Sequence, residues 1–174
     1  DAAFWRQCGF ILCLPVLDPE RFAFSPEDAR LLPRRFLRAA GLPIPDANVS
    51  CVNEGSLGPL VALEQARRKL DEGAWQRAIV LGVDSLVDAS SLRWMNDARR
   101  LKTPERPTGL MPGEAGACLL VDAARRGAAR DDVWIAGCAV DRSSGAEVSA
   151  VQRGLKLSRV IQAVLGGAVG IGDV

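Results

Sequence analysis

Short apolar runs alternate with segments of helical periodicity along this chain. The runs at residues 9–15, 48–52 and 78–82 are each closed by a proline, a glycine or a polar residue, as is typical of short buried strands. Further runs at residues 116–121 and 133–140 predict a fourth and a fifth strand. Because strands alternate with helices, the pattern favours an α/β fold with a mixed, largely parallel sheet.

Three segments carry the signals of helices. Ser25 opens a Ser-Pro-Glu-Asp sequence, which combines an N-cap with proline and acidic residues in the first turn. This helix is expected to reach about residue 40, with a kink or a break at Pro33, because an interior proline lacks the amide hydrogen. Apolar residues at helical spacing predict two further helices, over residues 56–73 and 150–165.

Composition and charge argue against two classes of partner. Hydrophobic residues make up 48% and charged residues 25% of the 174 residues, which is ordinary for a soluble globular domain. The 22 basic and 21 acidic residues nearly cancel, and no basic stripe with interleaved aromatic residues is present. No apolar run reaches the roughly 18 residues that a membrane-spanning helix requires. We therefore expect neither a nucleic acid as partner nor a membrane span.

The cysteines and the missing histidines limit the available chemistry. The five cysteines stand singly in mostly apolar stretches, without a CxxC pair or any metal-ligand spacing: Cys8, Cys13, Cys51, Cys118 and Cys138. We expect reduced, buried thiols in a cytoplasmic protein, and neither a metal site nor another cofactor. The chain contains no histidine, which removes the usual general base at neutral pH.

A strand–turn–helix around Ser56 is the most informative segment. Ser56 follows the strand at residues 48–52, and Pro59 fits the first turn of the helix that comes next. Backbone N–H groups at such a helix start, near Gly55 and Leu57, can hold a developing oxyanion. Serine is also a good helix N-cap. A nucleophile and a simple cap are therefore both open interpretations of Ser56.

The segment from Glu54 to Gly58 also approaches the G-x-S-x-G nucleophile elbow of serine hydrolases. Glu54 replaces the first glycine, although the strained turn of that elbow needs a small residue. A Ser-His-Asp triad cannot form within a chain that has no histidine. A serine hydrolase therefore remains a minor alternative.

Four features in order resemble the β-ketoacyl synthases, or ketosynthases, of the thiolase superfamily. Those enzymes have a strand ending in a nucleophilic cysteine and then a helix reading much like S-S-L-V-A-L. Here Ser56 takes the place of the cysteine, residues 60–63 match the helix core, and Gly73 falls near the family's spacing for the helix end. Residues 78–84 resemble the A-x-A-G-G-x-E strand, and residues 106–117 resemble R-P-F-D followed by G-F-V-x-G-E-G-A with a shortened middle.

The resemblance covers about residues 7–165 and implies a thiolase-like fold. In that family two similar halves, each a βαβαβαββ unit, pack into a five-layered core. The N-terminal half supplies the nucleophile, and the C-terminal half supplies two histidines, or a histidine and an asparagine. Because no H-G-T segment of the second half occurs, we expect residues 1–174 to be the N-terminal lobe of a longer protein.

The resemblance also implies partners and roles for individual residues. An acyl carrier protein or acyl-CoA would deliver the acyl group, and the protein would form a homodimer or a ketosynthase heterodimer. Pairing of the strand at residues 48–52 with its two-fold mate would build the homodimer. Gly113, Glu114 and Gly116 lie in the last motif, where the matching glutamate of the family looks structural, holding the loop before a buried strand.

Replacement of the cysteine by Ser56 leaves two functions open. A neutral hydroxyl is a poorer nucleophile than a thiolate, and Cys51 is interpreted as a core residue of the strand. The first function is an acyl-handling protein of fatty-acid or polyketide type, in which the acyl group meets Ser56. The second is a non-catalytic partner of chain-length-factor type. In either case we expect this chain alone to be inactive in carbon–carbon condensation.

Overall fold

The fold is known from a computed structural model, which describes residues 2–123, 133, 135, 137–140 and 149–168. The chain divides into two compact units, Asp1–Ala123 and Ala124–Val174. The described elements of the first unit are, in chain order, α1 (Ala2–Arg6), β1 (Cys8–Cys13), α2 (Pro26–Ala39), a 3-10 helix (Asp46–Asn48), β2 (Val49–Val52), a second 3-10 helix (Gly55–Leu57), α3 (Gly58–Asp71), β3 (Arg77–Ser85), α4 (Ala89–Asp97) and β4 (Glu114–Asp122). The second unit contains α5 (Ala150–Ala168).

The four strands form one mixed sheet in the order β2-β1-β3-β4. β1 pairs in parallel with β2 and with β3, whereas β4 runs antiparallel to β3. The expected α/β fold with a mixed, largely parallel sheet is thus confirmed. The chain leaves β1 first toward β2 and then returns past β1 to form β3. The topological switch point therefore lies between β1 and β3, at their carboxyl ends, where open α/β sheets commonly bind ligands.

Helices cover the two faces of the sheet at β1, which is buried along its whole length. On one face, Phe10 belongs to the main hydrophobic cluster, and its ring stacks on that of Phe36 from α2 at 5.7 Å between centroids. On the other face, Ser50 of β2 accepts a hydrogen bond from Gln65 of α3. Alternation of side chains along the strands accounts for this two-sided packing.

The helix α2 begins as predicted but is not broken where a break was expected. Ser25 and Asp28 form a capping box, in which each side chain meets the backbone amide of the other residue. The helix continues through Pro33 without interruption. Pro33 is fully buried. Packing of its ring therefore compensates for the hydrogen bond that its missing amide cannot make.

The fourth strand predicted at residues 116–121 is present as β4, which is exposed along most of its length. Its position at the edge of the sheet, next to β3 alone, explains this exposure.

The sequence patterns also missed the helices α1 and α4. The fifth strand, predicted at residues 133–140, is not found: residues 134 and 136 lie outside the described residues, and none of the other six belongs to a strand. None of the helices in the described ranges is both long and apolar enough to cross a bilayer.

Candidate functional site

The segment between β2 and α3 forms a tight turn around Gly55. Gly55 has a φ of +54°, a left-handed conformation that glycine adopts without strain. A Cβ atom at this position would lie 3.1 Å from Val16 Cγ2. Because Val16 follows β1, the turn and the loop after β1 are packed against each other. The chain can therefore reverse from strand to helix here only with a residue as small as glycine.

The sequence predicts Ser56 at the first residue or the cap of α3. Ser56 instead lies in the middle of the 3-10 helix that precedes α3. The N-cap position of α3 falls on Leu57, and no side chain caps the helix. The extra turn arises because the reversal already begins at Gly55, one residue before Ser56. Pro59 does stand in the first turn of α3, as predicted, where its missing amide costs no hydrogen bond.

The hydroxyl of Ser56 is exposed and makes no hydrogen bond to any residue that the structure describes. In the same turn, the Leu57 amide donates to the Glu54 carbonyl at 3.1 Å, and the Gly58 amide donates to the Gly55 carbonyl. The amides of Gly55 and Ser56 make no hydrogen bond within the described part of the chain and are available to an incoming oxyanion. The positive φ falls on Gly55, whereas the elbow of serine hydrolases places the strain on the nucleophile itself.

Two thiols lie close behind this turn and are held in the protonated form. Burial raises the pKa of Cys13 to about 11, and the neighbouring thiol of Cys51 adds to the increase. Burial also raises the pKa of Cys51, which packs against the main hydrophobic cluster. Neither group offers a thiolate near neutral pH.

By contrast, the expectation of a buried thiol is wrong for Cys118, which is exposed because β4 is an edge strand.

The glycine-glutamate motif joins the start of β4 to the end of β3. The carbonyl of Gly113 accepts a hydrogen bond from the Leu86 amide at 2.9 Å. Ser85 Oγ donates to Glu114 Oε2 at 3.2 Å, and the two residues are partners in the strand register. Gly116 faces Val83, which a Cβ atom would approach to 3.6 Å. These contacts hold the start of β4 against the end of β3 at the edge of the sheet.

A cavity of about 530 Å³ lies at the topological switch point. It is bounded by the loop after β1, the end of β3, the start of α4 and the start of β4. Its lining residues are Leu14, Pro15, Leu17, Phe22, Phe24, Val83, Asp84, Ser85, Asp88, Glu114, Ala115 and Gly116. Ser56 is not one of them, although the loop that packs against its turn also forms one wall of the cavity.

Arg21 organises this wall and was missed by the sequence patterns. Its guanidinium donates to Asp84 Oδ1 and to the Ser85 carbonyl, both at 2.6 Å, and to Ser91 Oγ at 2.9 Å. The side chain is only 6% exposed, and its charged group lies 4.4 Å above the centroid of the Phe22 ring. The bonded residues lie 63 to 70 positions away along the chain, so no local signal marks Arg21.

Comparisons with known proteins give similarities at the level of solved structures. No protein-family model and no curated protein sequence matches the chain. The ishigamide ketosynthase/chain length factor has 17% identity and a TM-score of 0.47, over 72% of this chain and 37% of that one. The ketosynthase from module 6 of the bacillaene synthase of Bacillus subtilis 168 has 20% identity and a TM-score of 0.46, over 67% and 21%.

OleA from Xanthomonas campestris is also similar, with 16% identity and a TM-score of 0.39, over 67% of this chain and 35% of that one. The chain thus spans between 21% and 37% of the length of these three proteins.

Proposed function

We propose that this chain is the nucleophile-bearing lobe of a ketosynthase-like acyl-handling protein of fatty-acid or polyketide type. In this proposal an acyl group, delivered by an acyl carrier protein or by coenzyme A, meets Ser56. The observation that carries the proposal is the strand–turn–helix at Ser56. It is followed along the chain by the other ketosynthase-like motifs in the order in which ketosynthases have them. No histidine of this chain can act as its base, so a carboxylate or an amine would have to activate the hydroxyl.

The geometry of the turn supports an acyl site at Ser56. Its exposed hydroxyl has no competing hydrogen bond within the described residues, and an incoming thioester can reach it from solvent. The amides of Gly55 and Ser56 carry no bond in those same residues and are available to an oxyanion. Removal of a single oxyanion donor typically lowers kcat by about a hundredfold to a thousandfold, so even a pair of weakly placed donors matters for acyl transfer.

Intact-mass spectrometry after incubation with octanoyl-CoA and octanoyl-acyl carrier protein tests this function. All proteins carry Cys118→Ser, because the exposed thiol would otherwise accept octanoyl groups by itself. We expect one octanoyl group on the protein with Ser56, faster labelling of the Ser56→Cys variant, and none at this position after Ser56→Ala.

Ser90→Ala is the matched control, since Ser90 is another exposed serine in the first turn of a helix, α4. This variant should keep the octanoyl group, and peptide mapping should assign the group to residue 56. Labelling that survives Ser56→Ala at full extent would contradict the proposal, as would the absence of label from both Ser56 and Ser56→Cys.

A non-catalytic partner of chain-length-factor type is the second candidate. The serine at the cysteine position and the absence of histidine from the chain favour it. A chain with this role gives no mass increase at Ser56, although Ser56→Cys can still be acylated slowly.

For both candidates we expect no turnover of the chain alone in a condensation assay with octanoyl- and malonyl-acyl carrier protein. Condensation needs a group that stabilises the malonyl carbanion as well as an acylated nucleophile. Turnover that disappears on Ser56→Ala would contradict this expectation.

A further inference from the structure

The cavity at the switch point has an apolar side that is built from the loop after β1. Leu14, Leu17, Phe22 and Phe24 lie on this side, and the rings of the two phenylalanines are 5.2 Å apart between centroids. The volume of about 530 Å³ falls within the range of roughly 300–1,000 Å³ that is usual for small-molecule sites. An aliphatic chain or a small ring placed here would lose water from the face that contacts these side chains.

The opposite side of the cavity is negatively charged. Asp84, Asp88 and Glu114 belong to its lining, which includes neither lysine nor arginine. The guanidinium of Arg21 pairs with Asp84. Asp88 and Glu114 accept hydrogen bonds from neutral groups only, and no cation of the lining balances their charges. Hydrogen bonds from Ser90 and Ser91 hold the pKa of Asp88 well below its usual range, and this group therefore stays ionised at neutral pH.

The two sides together select one class of ligand. Excess negative charge repels carboxylates and phosphates, whereas a cation gains from the carboxylates. Within the described ranges, no three carboxylates or thiols lie close enough together to hold a metal ion. We propose that the cavity binds an amphipathic organic cation, with its ammonium group near Glu114 and Asp88 and its apolar part against Phe22 and Phe24.

This proposal does not depend on the proposed acyl function. Ser56 lies outside the cavity, and an acyl thioester carries no cationic group. Failure of one proposal therefore leaves the other unaffected, since acylation is read at Ser56 and cation binding is read without an acyl donor.

Isothermal titration calorimetry with octyltrimethylammonium, kept below the concentration at which it forms micelles, tests the proposal on the full chain. Sodium octanoate and octanol serve as comparison ligands. Both have an apolar chain like that of the cation, but the head group of octanoate is negative and that of octanol is neutral. We expect a single site for the cation, weaker binding of octanol and no detectable binding of octanoate. Raising the sodium chloride concentration should weaken binding of the cation but not of octanol, because salt screens only the charged head.

Charge-removing variants locate the site. Glu114→Gln should weaken octyltrimethylammonium binding about threefold, as expected for one partly exposed ion pair, and Glu114→Gln with Asp88→Asn about tenfold. Asparagine keeps the helix cap of α4, so the double variant retains the fold. Glu72→Gln removes an equal charge at the end of α3 and should leave binding unchanged.

An adventitious hydrophobic interaction would give octanoate and the cation equal affinity, or several weak sites, and would overturn the proposal. Equal effects of Glu114→Gln and Glu72→Gln would overturn it as well. Phe24→Ala supplies an independent variant at an exposed ring, and it should weaken both the cation and octanol. Unchanged octanol binding in this variant would contradict the placement of the apolar part.

Discussion

At the scale of single residues, the contact with Trp75 requires a glycine at position 9. A Cβ atom at Gly9, the second residue of β1, would clash with the indole ring of Trp75. Trp75 is itself buried and follows α3, so the indole occupies the space that a side chain on β1 would need. Gly82 of β3 is different, because a Cβ atom there meets nothing within 4 Å.

Gly9→Ala should therefore destabilise the chain by about 3 kcal/mol, the cost of forcing an extra carbon into a packed core. Gly82→Ala is the control and should change the free energy of unfolding by less than about 0.5 kcal/mol. Urea unfolding followed by tryptophan fluorescence measures both. Equal stability of the two variants would show that Trp75 moves aside without cost.

The buried thiols make stability depend on alkaline pH. Burial disfavours the thiolate, so the folded-state pKa of Cys13, about 11, lies above the value of about 9.0 for an unfolded thiol. Between these values the folded state keeps a proton that the unfolded state loses. Stability is therefore unaffected below pH 9 and falls as the pH rises from 9 toward 11, and the raised pKa values of Cys8 and Cys51 act in the same direction.

For Cys13 alone this loss amounts to about 2 kcal/mol over the two pH units. Urea unfolding midpoints, measured under reducing conditions from pH 8 to pH 10.5, should fall less steeply for Cys13→Ala than for the unmodified chain. Cys118→Ala removes an exposed thiol and should leave the pH dependence unchanged. Parallel curves for Cys13→Ala and the unmodified chain would contradict this account.

At the scale of elements, Arg21 connects the loop after β1 with the end of β3 and the first turn of α4. One side chain binds Asp84, the Ser85 carbonyl and Ser91, which belong to two different elements. The fork of the guanidinium suits such multiple contacts, whereas an ammonium group is a single point charge. Arg21 thereby sets the shape of the wall that carries Phe22.

Arg21→Ala should lower the free energy of unfolding by about 3 kcal/mol, because it leaves buried hydrogen-bonding groups without a partner and removes packing. Arg21→Lys keeps the charge but not the fork, and about half of that loss should remain. Arg30→Ala, at an exposed arginine of α2, is the control and should stay within about 0.5 kcal/mol of the unmodified chain. Chemical denaturation measures the series, and full stability of Arg21→Lys would show that charge alone matters.

At the scale of the whole molecule, the sheet of the first unit ends in two unlike strands. β2 is short, with only four residues, and only its last residue, Val52, is fully buried. β4 has nine residues and exposes apolar side chains such as Leu119 and Leu120. Both strands have free edges within the described residues, and unpaired edges invite further strands.

We predict a homodimer in which β2 pairs with its two-fold mate. Sedimentation velocity at micromolar concentration should give twice the chain mass of 18.6 kDa. Val49→Lys, which places a charge in β2, should shift the population to monomer, whereas Leu119→Lys in the opposite edge strand should not. A monomer before substitution would contradict the prediction, and dissociation by Leu119→Lys alone would assign the interface to β4.

Local patterns in the sequence determined the elements of the first unit wherever the signal lies within a few residues. The capping box at Ser25 and the apolar runs of β1 and β3 are of this kind, since capping and side-chain alternation act between near neighbours. The same holds for the reversal of the chain at Gly55. The order of these elements was enough to predict the α/β class.

Only the tertiary structure decided which residues meet. Strand pairing placed β4 at an edge and so exposed Cys118, although the apolar sequence of β4 resembles that of a buried strand. The partners of Arg21 lie 63 to 70 positions away from it along the chain, and no local pattern encodes such contacts. The carboxylates of the cavity likewise come from separate elements, the end of β3, the cap of α4 and the start of β4. Even the exact position of Ser56 followed from packing of Gly55 against Val16, because that contact fixes where the turn begins.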